Sequence, residues 1–176
     1  MKSGGADSQA FDVFSHLLPD DGAFPNHARL PLIVYRQALA KPDPAAIETT
    51  LHANGWGGSW RNGVYSFHHY HSTAHEVLVV YGGSARVQLG GEHGIVAEIG
   101  PGDVVIIPAG VAHKNLGASG DFHVVGAYPA GQSPDMNYGQ PGERPRADET
   151  IARLSLPMND PIFGPDGPLL GLWRGT

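Results

Sequence analysis

Between residues 64 and 128 the chain is a succession of short apolar segments, and a glycine-containing turn separates most of them. Segments of this length that are rich in branched and aromatic residues are typical of β-strands. No helical pattern interrupts the series, so we predict an antiparallel barrel or sandwich. The six predicted strands are VYSFHHYH, EVLVVY, SARVQL, GIVAEI, DVVIIP and DFHVVGAY.

Two strands and one helix are predicted ahead of this series. Residues 11–18 alternate large apolar residues with others and fit an edge strand, and Leu30–Leu39 fits a more buried strand. The following segment carries the signals of a helix. Asp43 can cap its first turn, Pro44 suits its first position, and Gly55 can end it in the left-handed conformation.

The length of 176 residues is enough for one domain with a hydrophobic core and small for two. We divide the chain into an N-terminal arm or edge strand (1–22), a β-barrel (23–129) and a C-terminal tail (130–176). The tail contains apolar residues that would not be left in water. We therefore expect it to pack on the barrel or on a partner subunit.

Charge and hydrophobic patterning make two classes of partner unexpected. The 17 acidic residues outnumber the 11 basic ones, and no cluster of Lys and Arg is present, so we expect no nucleic-acid binding. No apolar run approaches the length that crosses a bilayer, so we expect no membrane contact and a cytoplasmic protein. The expected partner is a small-molecule ligand or substrate.

Histidines and one glutamate form the pattern with the most chemical content. His69 and His71 share one face of an extended segment because side chains alternate. After a short turn, Glu76 opens the next strand and can face the same side. His113 follows a Gly/Pro turn at the end of another strand. With no cysteine in the chain, these three imidazoles and one carboxylate suit one Fe, Mn, Ni, Cu or Zn ion.

Several neighbouring residues leave alternatives open. His75 is the rival ligand, since the strand after the turn can begin one residue later, whereas His68 is expected to face away from the metal. His123 either lines the mouth of a pocket or faces outward. Four aromatic residues either form a wall for a planar substrate or belong to the core: Trp56, Trp60, Tyr65 and Phe67.

These residues resemble the two sequence motifs of the cupin superfamily. The first motif, G-x5-H-x-H-x(3,4)-E-x6-G, is matched by Gly63, His69, His71, Glu76 and Gly83. The second, G-x5-P-x-G-x2-H-x3-N, is matched by Gly102, Pro108, Gly110 and His113. Its final Asn falls at Gly117, and the nearest asparagine is Asn115. The segments HYHSTAHEVL, AGVAHKNLG, VVGAYPAGQ and NYGQPGERP resemble the YjlB-like single-domain cupins.

The resemblance implies an all-β double-stranded β-helix, that is, a cupin jelly-roll barrel, with one short N-terminal helix and an extended C-terminal tail. It also implies one divalent metal ion at His69, His71, Glu76 and His113, and a homodimer. Since this barrel hosts many functions, three remain open. They are a metal-dependent oxygenase, which we place first, a redox-neutral isomerase, epimerase or lyase acting on a sugar or hydroxy-acid, and a non-catalytic module that binds or senses a small ligand.

Overall fold

The computed structural model describes residues 10–175, and within them the chain forms nine strands and three short helices. The strands are β1 (Asp12–His16), β2 (Leu32–Arg36), β3 (Trp56–Asn62), β4 (Glu76–Gly82), β5 (Ala85–Leu89), β6 (Ile95–Ile99), β7 (Val104–Ile107), β8 (His113–Ala118) and β9 (His123–Pro129). The helices are α1 (Pro44–Ala53), α2 (Arg146–Arg153) and α3 (Pro168–Arg174).

Two antiparallel sheets contain all nine of these strands. The larger has the order β1-β2-β7-β4-β9-β3, and the smaller has the order β6-β5-β8. The predicted all-β architecture of antiparallel strands is confirmed. β1 lies at the edge of the larger sheet, as predicted, and pairs with β2.

The larger sheet is covered on both faces, which explains the uninterrupted apolar sequence of β4. Leu78 and Val80 point into the core shared with the smaller sheet. Val77 and Val79 point into a second core that includes residues of α1 and α3. A strand covered on both faces needs apolar residues at every position, and all four of these side chains are buried.

Helix α1 has the predicted ends. The Asp43 carboxylate accepts a hydrogen bond from the Ala46 amide at 2.9 Å, and Pro44 occupies the first helical position. Ile47 and Leu51 bury one face of the helix in the second core. Gly55, just beyond the helix, has φ = +79°, which is the left-handed conformation expected of it.

The segment VYSFHHYH, predicted as a strand, is mostly irregular, and this prediction is wrong. Only His69 and Tyr70 form single bridges, to His113 and Asn137 respectively. The backbone changes partner after one residue, so no ladder can extend there. The strand lies earlier in the chain, as β3. Strand β8 was not predicted, because its polar and glycine residues lack the apolar pattern of a strand.

The C-terminal segment, predicted as an extended tail, contains α2 and α3 instead. Leu169 and Trp173 are buried in the second core against the larger sheet. Tyr35 donates its hydroxyl to Asp160, whose carboxylate also accepts from the amides of Ile162 and Phe163. These contacts anchor the segment to the barrel. The boundary at residue 129 stays a prediction, and residues 1–9 of the predicted arm lie outside the described residues.

Among the residues described, none of the helices combines the length and apolar character that a membrane span needs.

Candidate metal centre

Backbone pairing brings two of the predicted ligands together. His69 and His113 exchange main-chain hydrogen bonds of 3.2 and 2.9 Å, in the manner of an antiparallel pair. Residues paired in this way carry their side chains on the same face. The two imidazole ring centres are 4.0 Å apart. One β-bridge thus brings together two residues that are 44 positions apart in the sequence.

His71 and Glu76 complete the group, and all four residues are buried. The ligand nitrogens of His69, His71 and His113 lie within 4.8 Å of one another. Glu76 Oε2 lies 3.2 Å from Nε2 of His71 and 3.2 Å from Nε2 of His113. Tyr70, between the two histidines, points the other way into a separate apolar cluster, as strand-like alternation requires.

The other ring nitrogens identify the tautomers. Nδ1 of His69 lies 3.0 Å from the Phe67 carbonyl oxygen, and Nδ1 of His113 lies 3.1 Å from that of Val111. Nδ1 of His71 lies 2.6 Å from the Asp135 carbonyl oxygen. A carbonyl oxygen can only accept, so each Nδ1 carries the proton and each neutral ring keeps a lone pair on Nε2. Metal-binding histidines are held in this way.

The Nε2 lone pairs of the three histidines and the carboxylate of Glu76 are all hydrogen-bond acceptors, and they face one another. Glu76 Oε2 is buried and, among the described residues, has no hydrogen-bond partner of acceptable geometry. Lone pairs of neutral imidazoles facing a carboxylate oxygen require a cation between them, since burying an unpaired charge is costly. A divalent metal ion meets that requirement, so the residues present fit such an ion.

The pKa shifts of the histidines and of Glu76 are those expected of a site that takes up either a metal ion or a proton. Burial, and then the neighbouring His113, lowers the pKa of His69 to about 3. Burial also tends to lower the pKa of His71, but the Glu76 carboxylate outweighs it and the net pKa is raised. Burial tends to raise the pKa of Glu76, whereas His113 and His71 hold it well below its ordinary value. Without a metal ion, one proton shared between His71 and Glu76 can supply the missing positive charge.

A cavity of about 450 Å³ opens onto the group. A volume of this size accommodates a small organic molecule. The side chains around it are a mixture of aromatic, apolar and polar types. Besides the four candidate ligands, they include Trp60, Arg61, Tyr65, Leu78, Tyr128, Asp135 and Met136.

Two of these residues form a chain of contacts that leads to Glu76. Trp60 Nε1 donates to the Tyr128 hydroxyl at 2.8 Å, and that hydroxyl lies 3.5 Å from Glu76 Oε1, a long contact in which Tyr128 is the donor. The Trp60 indole lies directly over Gly126 of β9, where an added Cβ would overlap the ring. A glycine is therefore needed there for Trp60 to line the cavity.

Asp135 lies in the C-terminal segment and was not singled out in the sequence. Besides offering its carbonyl to His71, it accepts hydrogen bonds through its carboxylate from the Ser72 amide at 2.6 Å and from the Ser72 hydroxyl. Burial tends to raise the pKa of this carboxyl, but the hydrogen bonds from Ser72, Asn137 and Thr73 together outweigh it and lower the pKa overall. Only the position of the segment in the fold reveals this role.

Other predicted residues lie elsewhere. His75 does not join the group: its Nδ1 accepts from the Ala109 amide at 2.9 Å, and its ring packs on Trp173. His68 faces away, as expected, with Nε2 3.1 Å from Glu92. His123 is exposed and does not line the cavity.

The aromatic residues divide between the two alternatives. Trp56 belongs to the core, whereas Trp60 and Tyr65 line the cavity. Phe67 stacks on Tyr65 at the surface, with ring centres 4.9 Å apart.

Asn115, the asparagine nearest to the final position of the second motif, accepts a hydrogen bond from the Gly117 amide at 2.8 Å.

Two sequence comparisons identify proteins to which this chain is similar. Residues 61–125 match the family model described as a cupin domain. The chain is 46% identical over 159 residues to the uncharacterized protein YjlB of Bacillus subtilis (strain 168), covering 90% of this chain and 95% of that protein.

Solved structures are similar at a lower level. A cupin 2 domain-containing protein from Halorhodospira halophila is 13% identical, with a TM-score of 0.37 over 87% of this chain and 88% of the other. A DUF861 family protein from Thermotoga maritima is 25% identical, with a TM-score of 0.32 over 49% of this chain and 91% of the other. The assignment is drawn from the sequence matches and the two motifs: the chain belongs to the cupin superfamily as a YjlB-like member.

Proposed function

We propose that the chain binds one divalent transition metal ion, Fe, Mn, Ni, Cu or Zn, through His69, His71, Glu76 and His113, and that it is a metal-dependent enzyme acting on a small molecule. The observation that carries this proposal is the convergence of three imidazoles with Glu76 Oε2, a buried oxygen that accepts no hydrogen bond from the described residues. Nitrogen and oxygen ligands of this kind suit the later first-row divalent metals.

The protein residues have separate tasks in this proposal. The bound ion would supply Lewis acidity and, for a redox-active metal, electron transfer. The backbone carbonyls of Phe67, Val111 and Asp135 orient the three imidazoles. Glu76 and the three histidines are buried, and electrostatic interactions among buried groups are stronger than in water.

The cavity lining favours an oxygenase over a redox-neutral enzyme. An isomerase or lyase needs a general base within reach of the substrate. Among the described lining residues, the carboxylates are Glu76, which faces the histidines, and Asp135, which already accepts hydrogen bonds from Ser72. His123, the other candidate base, lies outside the cavity. For either kind of enzyme, the cavity beside the metal group supports a small molecule as the substrate.

We also propose that the chain forms a homodimer. β1 is an edge strand whose residues are all exposed, including the apolar Val13 and Phe14. Exposed apolar edges commonly pair with another chain. Light scattering during size-exclusion chromatography would report the mass, and a monomer at micromolar concentration would contradict this part.

Elemental analysis of untagged protein purified without chelator is the first test. We expect near-stoichiometric metal in the native chain and strong loss in folded Glu76→Ala and His113→Ala variants. His123→Ala, which removes an exposed histidine, is the matched control and should keep the metal. Iron, manganese or copper would favour the oxygenase, and zinc would favour Lewis-acid chemistry. A native chain that holds no metal and takes none up on titration would contradict the proposed function.

A further inference from the structure

The residues around the metal group restrict the chemical class of the ligand, an inference that rests on the proposed function. A divalent ion held by three neutral imidazoles and one carboxylate keeps one net positive charge. A ligand whose head group brings one negative charge would neutralise it, which matters in a buried centre where an uncompensated charge is costly.

The charged side chains near the cavity are already paired. Arg61 lines it but makes two bonds to the Glu48 carboxylate, at 2.6 and 3.0 Å. The Asp135 carboxylate is held by the Ser72 amide and hydroxyl. Among the described lining residues, no further Lys or Arg is present. A phosphate or a second carboxylate on the ligand would therefore meet no partner unless the bond between Arg61 and Glu48 opened.

Aromatic and apolar side chains form part of the remaining wall. Trp60 donates a hydrogen bond to Tyr128 and packs over Gly126, and these two contacts position its ring at the cavity. Leu78 and Met136 add apolar surface. Rigid aromatic walls favour planar, apolar ligand groups, because stacking adds to the gain from burial.

An aromatic strip continues this wall from the cavity to the surface, and we define it as Tyr65, Phe67 and Tyr138. The rings of Tyr65 and Phe67 stack with an interplanar angle of 17°, and Phe67 lies 5.8 Å from Tyr138. The first two rings also contact His69 edge-on, at 5.3 and 5.6 Å. All three are exposed, by 58%, 42% and 47%. An exposed aromatic patch that touches a candidate metal ligand is suited to a ligand that reaches the metal.

We infer that the site takes a monoanionic, bidentate oxygen chelator with a flat, conjugated or aromatic body, such as an enolate or a singly deprotonated catechol. The chelating head binds at the metal, and the body lies between Trp60 and Tyr65 toward the aromatic strip. Phosphorylated sugars and polycarboxylates fall outside this class, since they bring charges that the wall does not match.

Hydroxamic acids test this inference because they share one monoanionic chelating head and differ only in the body. The protein is loaded with Co(II), and binding of acetohydroxamate, benzohydroxamate and 4-carboxybenzohydroxamate is measured by calorimetry and by the visible Co(II) absorption. We expect benzohydroxamate to bind at least tenfold more tightly than acetohydroxamate. The added carboxylate should weaken binding of the aromatic probe at least fivefold.

Variants assign the effect to the wall. Tyr65→Ala should reduce the advantage of the phenyl group at least threefold, measured as the ratio of the benzohydroxamate and acetohydroxamate affinities within the same variant. Met158→Ala removes a large exposed apolar side chain away from both the cavity and β1 and is the control, which should change neither affinity.

Two results with the native chain would overturn the inference: affinities for acetohydroxamate and benzohydroxamate within twofold of each other, or binding of 4-carboxybenzohydroxamate as tight as that of benzohydroxamate or tighter. Two results with Tyr65→Ala would also overturn it: an unchanged preference for the phenyl group, or a change of oligomeric state. The last would mean that a second copy covers the aromatic strip. If the native chain binds no Co(II), the proposed function fails together with this inference. If it binds Co(II) but does not discriminate among the probes, only this inference fails.

Discussion

The Nδ1 atom of His71 lies 2.6 Å from the main-chain carbonyl oxygen of Asp135, a residue 64 positions later in the chain. This contact joins the C-terminal segment to the candidate metal centre. The segment lies outside the part of the chain that matches the cupin family model, which ends at residue 125.

Asp135→Ala is expected to weaken metal binding by roughly tenfold to a hundredfold, the range for residues that orient a ligating histidine. The substitution removes the carboxylate that bonds to Ser72, so the Asp135 carbonyl is no longer held beside His71. Competition with a coloured chelator measures the affinity. Asp12→Ala, an exposed acidic residue on β1, serves as the control. Equal affinities in the Asp135→Ala and native proteins would show that the carboxylate has no orienting role.

Removal of the metal is expected to lower thermal stability, because an ion that binds only the folded state stabilises it by mass action. At a free metal concentration of about 100 Kd the gain is roughly 2.7 kcal/mol. For a chain of this length that corresponds to roughly 5–10 °C in Tm. Differential scanning calorimetry with metal and with chelator measures the shift. Glu76→Ala should show little or no shift, and a full shift in that variant would place the metal elsewhere.

His27 is expected to make the fold sensitive to mild acid. Burial, and then the charge of Arg29, lowers the pKa of His27 to about 4, and its Nδ1 accepts from the Leu30 amide at 2.9 Å. The folded pKa is below the unfolded value of about 6.5, so this contribution is complete above pH 6.5 and is lost as the pH falls toward 4. One proton taken up on unfolding changes the free energy of unfolding by up to about 1.4 kcal/mol per pH unit.

Urea unfolding between pH 7 and 4.5, with chelator present, measures this dependence. His27→Asn keeps an acceptor near Nδ1 but cannot be protonated in this range, so its free energy of unfolding should fall less steeply than that of the native chain. The exposed His52→Asn on α1 is the control and should follow the native curve. Parallel curves for the native chain and His27→Asn would exclude His27 as the titrating group.

Gly126→Ala is expected to displace the Trp60 indole, because the added methyl group would overlap the ring. Overpacking of this kind costs roughly 1–3 kcal/mol of stability. We expect that loss in urea unfolding, together with a changed tryptophan emission spectrum. Gly57→Ala on β3 places a methyl group in open space and is the matched control. An unchanged spectrum and stability in Gly126→Ala would mean that Trp60 moves without cost.

Asp160→Ala is expected to destabilise the fold by roughly 3 kcal/mol or more, since several buried donors lose their acceptor. These donors are the Tyr35 hydroxyl and the amides of Ile162, Phe163 and Leu169. Metal affinity of the folded fraction should be unchanged, because these groups lie outside the cavity. The exposed Asp166→Ala is the control in urea unfolding. A loss below about 1 kcal/mol would show that water replaces the carboxylate.

Local sequence patterns predicted much of the fold. The ends of α1 follow from Asp43, Pro44 and Gly55, whose effects act within a few residues. Short apolar segments likewise predicted the strands β4, β5, β6 and β7, because strand propensity is also a local property of the sequence. β3 and β8 were missed because glycine and polar residues dominate them, and their pairing with distant strands outweighs their low intrinsic strand propensity.

The sequence by itself determined that His69 and His71 share a face and that Glu76 and His113 follow turns at suitable spacings, because alternation and motif spacing are local properties. Only the tertiary structure decided that His75 packs on Trp173 and that Asp135 orients His71. It also decided which aromatic residues line the cavity. Those contacts join residues far apart in the chain, and their distances depend on strand register and on how the C-terminal segment packs against the barrel.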